Sequence, residues 1–161
     1  MAESKKIIKR SLTPRRRARE YALQGIYQAL VLRRAGSLPD MQMITEQLAE
    51  DPAFKRCQLD LFEGIFQGVL LRMDALETLI TPALDRPINE LSPVEHAALL
   101  IGAYELAEDL RVPFKVAINE AVELAKIFGG TDGHKYVNGV LNGLAPSLRS
   151  HEVEADRTKK P

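Results

Sequence analysis

The chain has 161 residues, 45% of them hydrophobic, and its formal net charge is zero. This length suits one globular domain, and a single cysteine, Cys57, excludes an internal disulfide. No apolar run approaches the roughly 18 residues of a membrane span or follows a basic start as in a signal peptide. We therefore expect a soluble cytoplasmic protein with no membrane partner.

The neutral total hides an uneven distribution of charge. Residues 1–20 carry a net charge of +6, and residues 21–161 carry a net charge of −6. A basic end on a mildly acidic body predicts a polyanionic partner that is met by one face. The alternative is a solubilising tail without a partner. Residues 1–12 lack an apolar period, so we expect a flexible basic N-terminal arm.

The first predicted helix begins at Thr13 and Pro14, an N-cap followed by proline at the first helical position. Its opening turns hold four arginines, although cations are disfavoured near a helix N-terminus. This placement indicates a task other than stability, and phosphate is the natural counter-charge. The arginines are Arg15, Arg16, Arg17 and Arg19.

Helical periodicity continues through the middle of the chain. A short helix is expected over residues 38–49, and an apolar stripe from Leu59 to Ile80 predicts one long helix or two helices broken near Asp74. Ser92 and Glu95 then form a capping box, which opens the next helix. No alternating strand pattern is present.

Two more helices are expected near the C-terminus. Residues 117–128 carry an apolar stripe that Gly129 ends, and a second stripe beyond it is stopped by Pro146. A helical domain would then span residues 13–148. The remaining residues, 149–161, are polar, so we expect a disordered C-terminal tail.

No catalytic or metal-binding pattern emerges from the sequence. The three histidines lie on different predicted elements, without paired cysteines or HxxxH spacing. Glu120 and Glu123 resemble an acid and a base, but their spacing of three places them on a solvated helix face with Lys126. We therefore expect no enzyme, no metal and no cofactor.

Cationic and aromatic residues occur together at two helix starts, a combination that single-stranded nucleic acid requires. Phosphates meet Arg and Lys, while unstacked bases lie on aromatic rings. The alternative is that Asp132 only caps a helix and Tyr136 only covers the core. Besides the four arginines, the predicted RNA-binding residues are Tyr27, Asp132, Lys135, Tyr136 and Asn138.

Four sequence blocks carry a family resemblance. They are RRRAREYALQGIYQ at 15–28, LSPVEHAALLIGAYEL at 91–106, VPFKVAINEAVELAKIFGG at 112–130 and HKYVNGVLNGLAP at 134–146. In this order they closely resemble the NusB family of bacterial transcription antitermination factors. The resemblance implies an all-α fold, a compact bundle of about seven helices in two small subdomains.

The resemblance also implies a function in the regulation of ribosomal RNA transcription. It implies binding to single-stranded boxA RNA together with the ribosomal protein NusE, within an RNA polymerase elongation complex that contains other Nus factors. It assigns RNA contacts to the arginine-rich helix start, Tyr27, Asp132 and Tyr136, and a NusE contact to Glu95. Relatives vary in whether they form a homodimer, so that point stays open.

Two other functions remain as alternatives. The chain could be a helical protein-interaction module whose acidic surface binds a basic partner, with only nonspecific RNA binding. It could also be the RNA-binding domain of a ribosomal RNA methyltransferase, since that family carries a NusB-like domain. Against the second, 161 residues leave no room for a methyl-donor-binding fold.

Overall fold

The structure, a computed structural model, describes residues 12–159, so nearly all of the predicted basic arm lies outside the described residues. This range forms eight α-helices and three short 3-10 helices, without a β-strand. The α-helices are α1 (Pro14–Arg34), α2 (Met41–Leu48), α3 (Leu59–Leu71), α4 (Met73–Ile80), α5 (Pro93–Glu108), α6 (Phe114–Phe128), α7 (Gly133–Leu148) and α8 (Ser150–Lys159). The predicted all-α fold is confirmed. None of these helices is both long and apolar enough for a membrane span.

Helix α5 is the centre of the bundle. It packs against α1, α3 and α4 from the first half of the chain, and against α6 and α7 from the second half. Residues 96–103 are buried without interruption, so every face of the helix is covered. Because burial on all sides needs neighbours on all sides, α5 joins the two small groups of helices.

Two glycines bring neighbouring helices close to α5. A Cβ at Gly68 on α3 would lie 2.5 Å from the ring of Tyr104 on α5. A Cβ at Gly102 on α5 would lie 2.5 Å from Cδ1 of Leu141 on α7. A larger side chain at either position would displace the Tyr104 ring or the Leu141 side chain, so the two glycines allow α3 and α7 to pack closely against α5.

The predicted helix starts are present with their caps. Thr13 Oγ1 accepts the Arg16 N–H at 3.1 Å, and Pro14 occupies the first helical position of α1. Ser92 Oγ accepts the Glu95 N–H at 3.2 Å and donates to Glu95 Oε2 at 2.8 Å. The stripe from Leu59 to Ile80 is divided at Arg72, two residues before the predicted break.

The predicted disordered tail is wrong for Ser150–Lys159, which form α8. The preceding Arg149 is buried, and its guanidinium donates to four backbone carbonyl oxygens at 2.7–3.0 Å. The carbonyls belong to Glu105, Leu106, Asp109 and Val112. Three of them lie at the end of α5, and those of Glu105 and Asp109 also accept a backbone N–H there. Arg149 thereby attaches the C-terminal segment to α5.

Further contacts attach α8 to the start of α6. Glu152 Oε2 accepts the Phe114 N–H at 3.0 Å, one of the donors that a helix start leaves without an intrahelical partner. Lys115 pairs with Asp156, and Val153 is buried. Pro146 does not end α7 as predicted, because it lies in the last turn and removes only one backbone donor there.

Glu77 connects α1, α4 and α5 through its carboxylate. Arg33 donates to both Glu77 oxygens, at 3.0 and 2.7 Å, and His96 Nε2 lies 2.7 Å from Glu77 Oε2. Burial alone would raise the pKa of Glu77, but the hydrogen bonds from His96 and Arg33 outweigh burial and lower that pKa to about 2. The folded state therefore favours the ionised carboxylate.

This lowered pKa predicts an acid-sensitive contribution to stability. The contribution is complete above the unfolded pKa of about 4.3 and is lost as pH falls toward the folded value of about 2. We expect the urea midpoint of wild-type protein to fall more steeply between about pH 5 and pH 2 than that of Glu77→Gln. Glu63→Gln, which removes an exposed carboxylate from α3, is the control. Parallel curves for wild type and Glu77→Gln would contradict the prediction.

Candidate nucleic-acid interface

The four arginines at the start of α1 diverge, because successive residues of a helix point in different directions. Arg15 Nη1 donates to Gln58 Oε1 at 3.4 Å, at the start of α3. Arg16 Nη2 lies 3.3 Å from Glu120 Oε2 on α6. Arg17 is half-buried. The helix start therefore presents separate cations, of which Arg15 and Arg16 are exposed.

Arg19 lies in the core, so its prediction as an RNA-binding residue is wrong. It is 3% exposed, and its Nε and Nη2 donate to the two carboxylate oxygens of Glu105 at 2.9 Å each. Burial alone would lower the pKa of Arg19, but its bond to Glu105 and the charges of Glu105 and Glu120 raise it. Arg19 is thus a permanent cation inside the bundle, and it has no surface left for phosphate.

Glu120 also differs from its prediction as a residue on a solvated face. Its carboxylate is buried between the two arginines, with Oε1 3.4 Å from Arg19 Nη1 and Oε2 3.3 Å from Arg16 Nη2. Glu123, one turn further, is half-buried and pairs with Lys126 at 3.4 Å. The two carboxylates therefore have different environments despite their common helix.

Tyr27 lies on the same face of α1 as Arg16, closer to the C-terminal end of the helix. Arg16, Glu20 and Tyr27 are spaced by four and seven residues, which places them on one helix face. The ring is 40% exposed and borders an open groove of about 420 Å³ between α1, the start of α5 and the end of α6. The groove is lined by Leu23, Gln24, Tyr27, Gln28, Val94 and Phe128. It offers an apolar wall and amide groups, which suit a stacked base.

The start of α5 connects this groove to the loop between α6 and α7. A Cβ at Gly129 would lie 3.4 Å from Val94, and a Cβ at Gly133 would lie 3.2 Å from Glu95. Val94 also lines the Tyr27 groove. The structure therefore brings Tyr27 and the start of α7 to one continuous surface, with Glu95 between them.

The polar residues predicted at the start of α7 are accessible. Asp132 is at the N-cap position but makes no side-chain cap hydrogen bond, so the capping alternative is not what its side chain does. Its carboxylate lies 3.4 Å from Lys135 Nζ, and both side chains are exposed. Asn138 is exposed and accepts a hydrogen bond from Asn142 through Oδ1 at 3.1 Å.

Tyr136 is half-buried and does not present an open ring. The guanidinium carbon of Arg86 lies 4.4 Å from the ring centroid, a distance typical of a cation–π contact. The N–H of Asp85 donates to the Tyr136 hydroxyl at 3.3 Å. A base could stack here only on the outer side of Arg86 or after Arg86 has moved.

Sequence analysis missed three residues of this surface. Arg86 lies fifty positions before the ring that it covers, and no periodicity links the two. Phe128 belongs to the apolar stripe predicted for helix packing, and Val94 lies within the capping-box motif. The spacing of Arg16 and Tyr27, eleven residues apart, was an available signal, since it places these two exposed residues on one face of α1.

The site has the composition of a binding surface. It combines exposed cations, an accessible aromatic ring and amide groups around a groove. Among residues 12–159, no group of three or more His, Cys, Asp or Glu side chains is arranged to hold a metal ion. Fold and surface together define an all-helical binding protein.

Comparison with known proteins gives the family. The sequence profile of the NusB family matches residues 16–146, and the chain belongs to this family. The family is non-enzymatic and binds RNA, as expected from the sequence. The resemblance seen in the four sequence blocks is thereby confirmed.

Individual relatives match over most of the chain. "Transcription antitermination protein NusB" of Methylobacillus flagellatus is 46% identical, over 97% of this chain and 98% of the relative. The protein of the same name from Albidiferax ferrireducens is 51% identical, over 92% of this chain and 81% of the relative. Among solved structures, T. maritima NusB superposes with a TM-score of 0.74 at 28% identity, covering 89% of this chain and 99% of that one.

Proposed function

We propose that this chain is a cytoplasmic transcription antitermination factor that binds single-stranded boxA RNA of ribosomal RNA transcripts. The observation that carries the proposal is the open groove beside Tyr27, which joins the surface at the start of α7. Relatives at 46–51% identity are named transcription antitermination proteins, which supports the same function.

The arrangement suggests a course for the RNA. Arg16 and Tyr27 are eleven residues apart on α1, which corresponds to about 16 Å along the helix axis. In the proposed complex, phosphates lie near Arg15 and Arg16, and a base stacks on Tyr27 in the groove. Asp132, Lys135 and Asn138 then face the continuing strand. Asp132 can contribute to selectivity only by accepting hydrogen bonds from a base, because its charge repels phosphate.

We further propose that the ribosomal protein NusE binds beside this surface, within an RNA polymerase complex that contains other Nus factors. Glu95 supports this part of the proposal, since it lies half-buried between the Tyr27 groove and the start of α7. A partner that contacts Glu95 would border the RNA and extend its binding surface. The pair should therefore bind RNA more tightly than this chain does alone.

The test is a fluorescence-anisotropy titration of labelled boxA-type RNA and a scrambled strand, with and without NusE, at two salt concentrations. We expect preference for the boxA-type strand, tighter binding with NusE, and a fall in log K of about 0.7 per decade of salt for each phosphate neutralised. Equal affinity for both strands would contradict the proposal. It would favour the alternative of a protein-interaction module with nonspecific RNA binding.

Removal of the Tyr27 ring provides the sharpest test of the groove. We expect Tyr27→Ala to weaken boxA-type binding about tenfold or more, because stacking of one base on a ring contributes about 1–3 kcal/mol. Tyr27→Phe is the matched control, since it keeps the ring and should bind within about twofold of wild type. If circular dichroism shows that both proteins are folded and Tyr27→Ala binds RNA as tightly as wild type, Tyr27 is excluded from the interface.

A further inference from the structure

The carboxylate of Glu120 lies where the RNA-binding surface begins. Its Oε2 is 3.3 Å from Nη2 of Arg16, whose side chain is 48% exposed. Its Oε1 is 3.4 Å from Nη1 of the buried Arg19. Because Arg19 also binds Glu105 with two hydrogen bonds, it cannot follow Arg16 toward the solvent. Glu120 therefore stays in place whether or not Arg16 remains paired with it.

Arg16 and Glu120 line a small cavity between α1 and α6, together with Arg19, Glu20 and Glu123. The Glu123 carboxylate pairs with Lys126, whereas the Glu120 carboxylate pairs with Arg16. To bind phosphate fully, Arg16 must leave Glu120 and turn outward.

We propose that Glu120 is a positioning residue that limits RNA affinity, because it competes with the RNA phosphate for the Arg16 guanidinium. This inference rests on the proposed RNA-binding function and adds a residue that sets its strength. In the free protein Glu120 holds Arg16 against α6. In the complex Arg16 exchanges this carboxylate for a phosphate, and Glu120 keeps its contact with Arg19.

The variant Glu120→Gln tests the competition. Its amide oxygen can still accept from Arg19, and Arg19 keeps both bonds to Glu105, so the fold should be retained. We expect RNA affinity to rise about threefold, the size of effect that a half-exposed ion pair gives. The salt dependence of log K should stay that of wild type, since Arg16 neutralises the same phosphate in both complexes. A merely structural role of Glu120 would give no gain that depends on Arg16.

Two controls separate competition from a general change of charge. Glu123→Gln removes the same charge from the same helix, but the Glu123 carboxylate pairs with Lys126. We expect this variant to bind RNA within about 1.5-fold of wild type. In an Arg16→Gln background, Glu120→Gln should give no further gain, because the competing cation is absent.

Anisotropy titrations with both a boxA-type and a scrambled strand give the readout. A gain on both strands that requires Arg16 supports the proposal, since competition concerns the phosphate and not the base. The proposal is overturned if Glu120→Gln binds RNA no more tightly than wild type, or if the gain is equally large in the Arg16→Gln background. It is also overturned if neither wild type nor Glu120→Gln binds RNA. If the proposed boxA function fails, the two strands bind alike, and the effect of Glu120→Gln is still measured on each.

Discussion

Replacement of Arg149 by methionine is expected to destabilise the fold by about 3–5 kcal/mol. The substitution keeps an apolar side chain in the buried site but removes the guanidinium donors from four carbonyl oxygens, of which those of Glu105 and Asp109 keep a backbone N–H donor. Buried polar groups without partners cost about 1–3 kcal/mol each before relaxation. Thermal unfolding should show a melting temperature lower by roughly 10 °C, given about 2–4 °C per kcal/mol in a chain of this size.

The control for this prediction lies on α8 itself. Arg157 is exposed and lies 3.9 Å from Glu154, so Arg157→Met should change stability by less than about 0.5 kcal/mol. A loss below about 1 kcal/mol for Arg149→Met would contradict the prediction. It would mean that other donors reach the carbonyls at the end of α5.

Replacement of Arg19 by methionine should also be severe, with a loss of about 3–5 kcal/mol in the free energy of unfolding. The reason is Glu105, which is 0% exposed and would remain as a buried carboxylate without its cation. Urea denaturation at neutral pH measures the loss. Equal stability of Arg19→Met and wild type would show that Glu105 finds another partner or takes up a proton.

A double variant separates the contribution of the Arg19–Glu105 ion pair to stability from any contribution to RNA binding. In Arg19→Met with Glu105→Leu neither charge remains, and replacement of a buried ion pair by apolar residues is often neutral or stabilising. We expect stability within about 1 kcal/mol of wild type. Because Glu120 loses its contact with Arg19 and can bind Arg16 more tightly, RNA affinity should fall by no more than about threefold. A much larger loss of RNA affinity in this folded double variant would restore Arg19 to the interface.

The helices were predictable where apolar periodicity and caps coincide. Thr13 with Pro14 and Ser92 with Glu95 mark the starts of α1 and α5, and both caps form as expected. Helix α8 escaped prediction because polar contacts hold it in place. Only Val153 is buried within it, while Arg149 and Glu152 bind backbone groups that a sequence pattern cannot reveal.

The binding surface was predictable only in part, for a related reason. Residue type gives charge, but the direction of a side chain depends on its position around the helix. Arg16 and Arg19 have the same chemistry and lie three residues apart, yet one is half-exposed and the other buried against Glu105. The cover that Arg86 forms over Tyr136 depends on a tertiary contact between a loop and α7.

The close contacts at Gly68 and Gly102 have a consequence for recognition. Tyr104 fits against one glycine and Leu141 against the other, so a shift of α5 along its axis by about 1.5 Å, the rise of one residue, would require both side chains to repack. The two halves of the bundle therefore keep one register. The ring of Tyr27 and the first turn of α7 are therefore held at a nearly constant separation. A strand that contacts both would lose little affinity to ordering of the protein on binding.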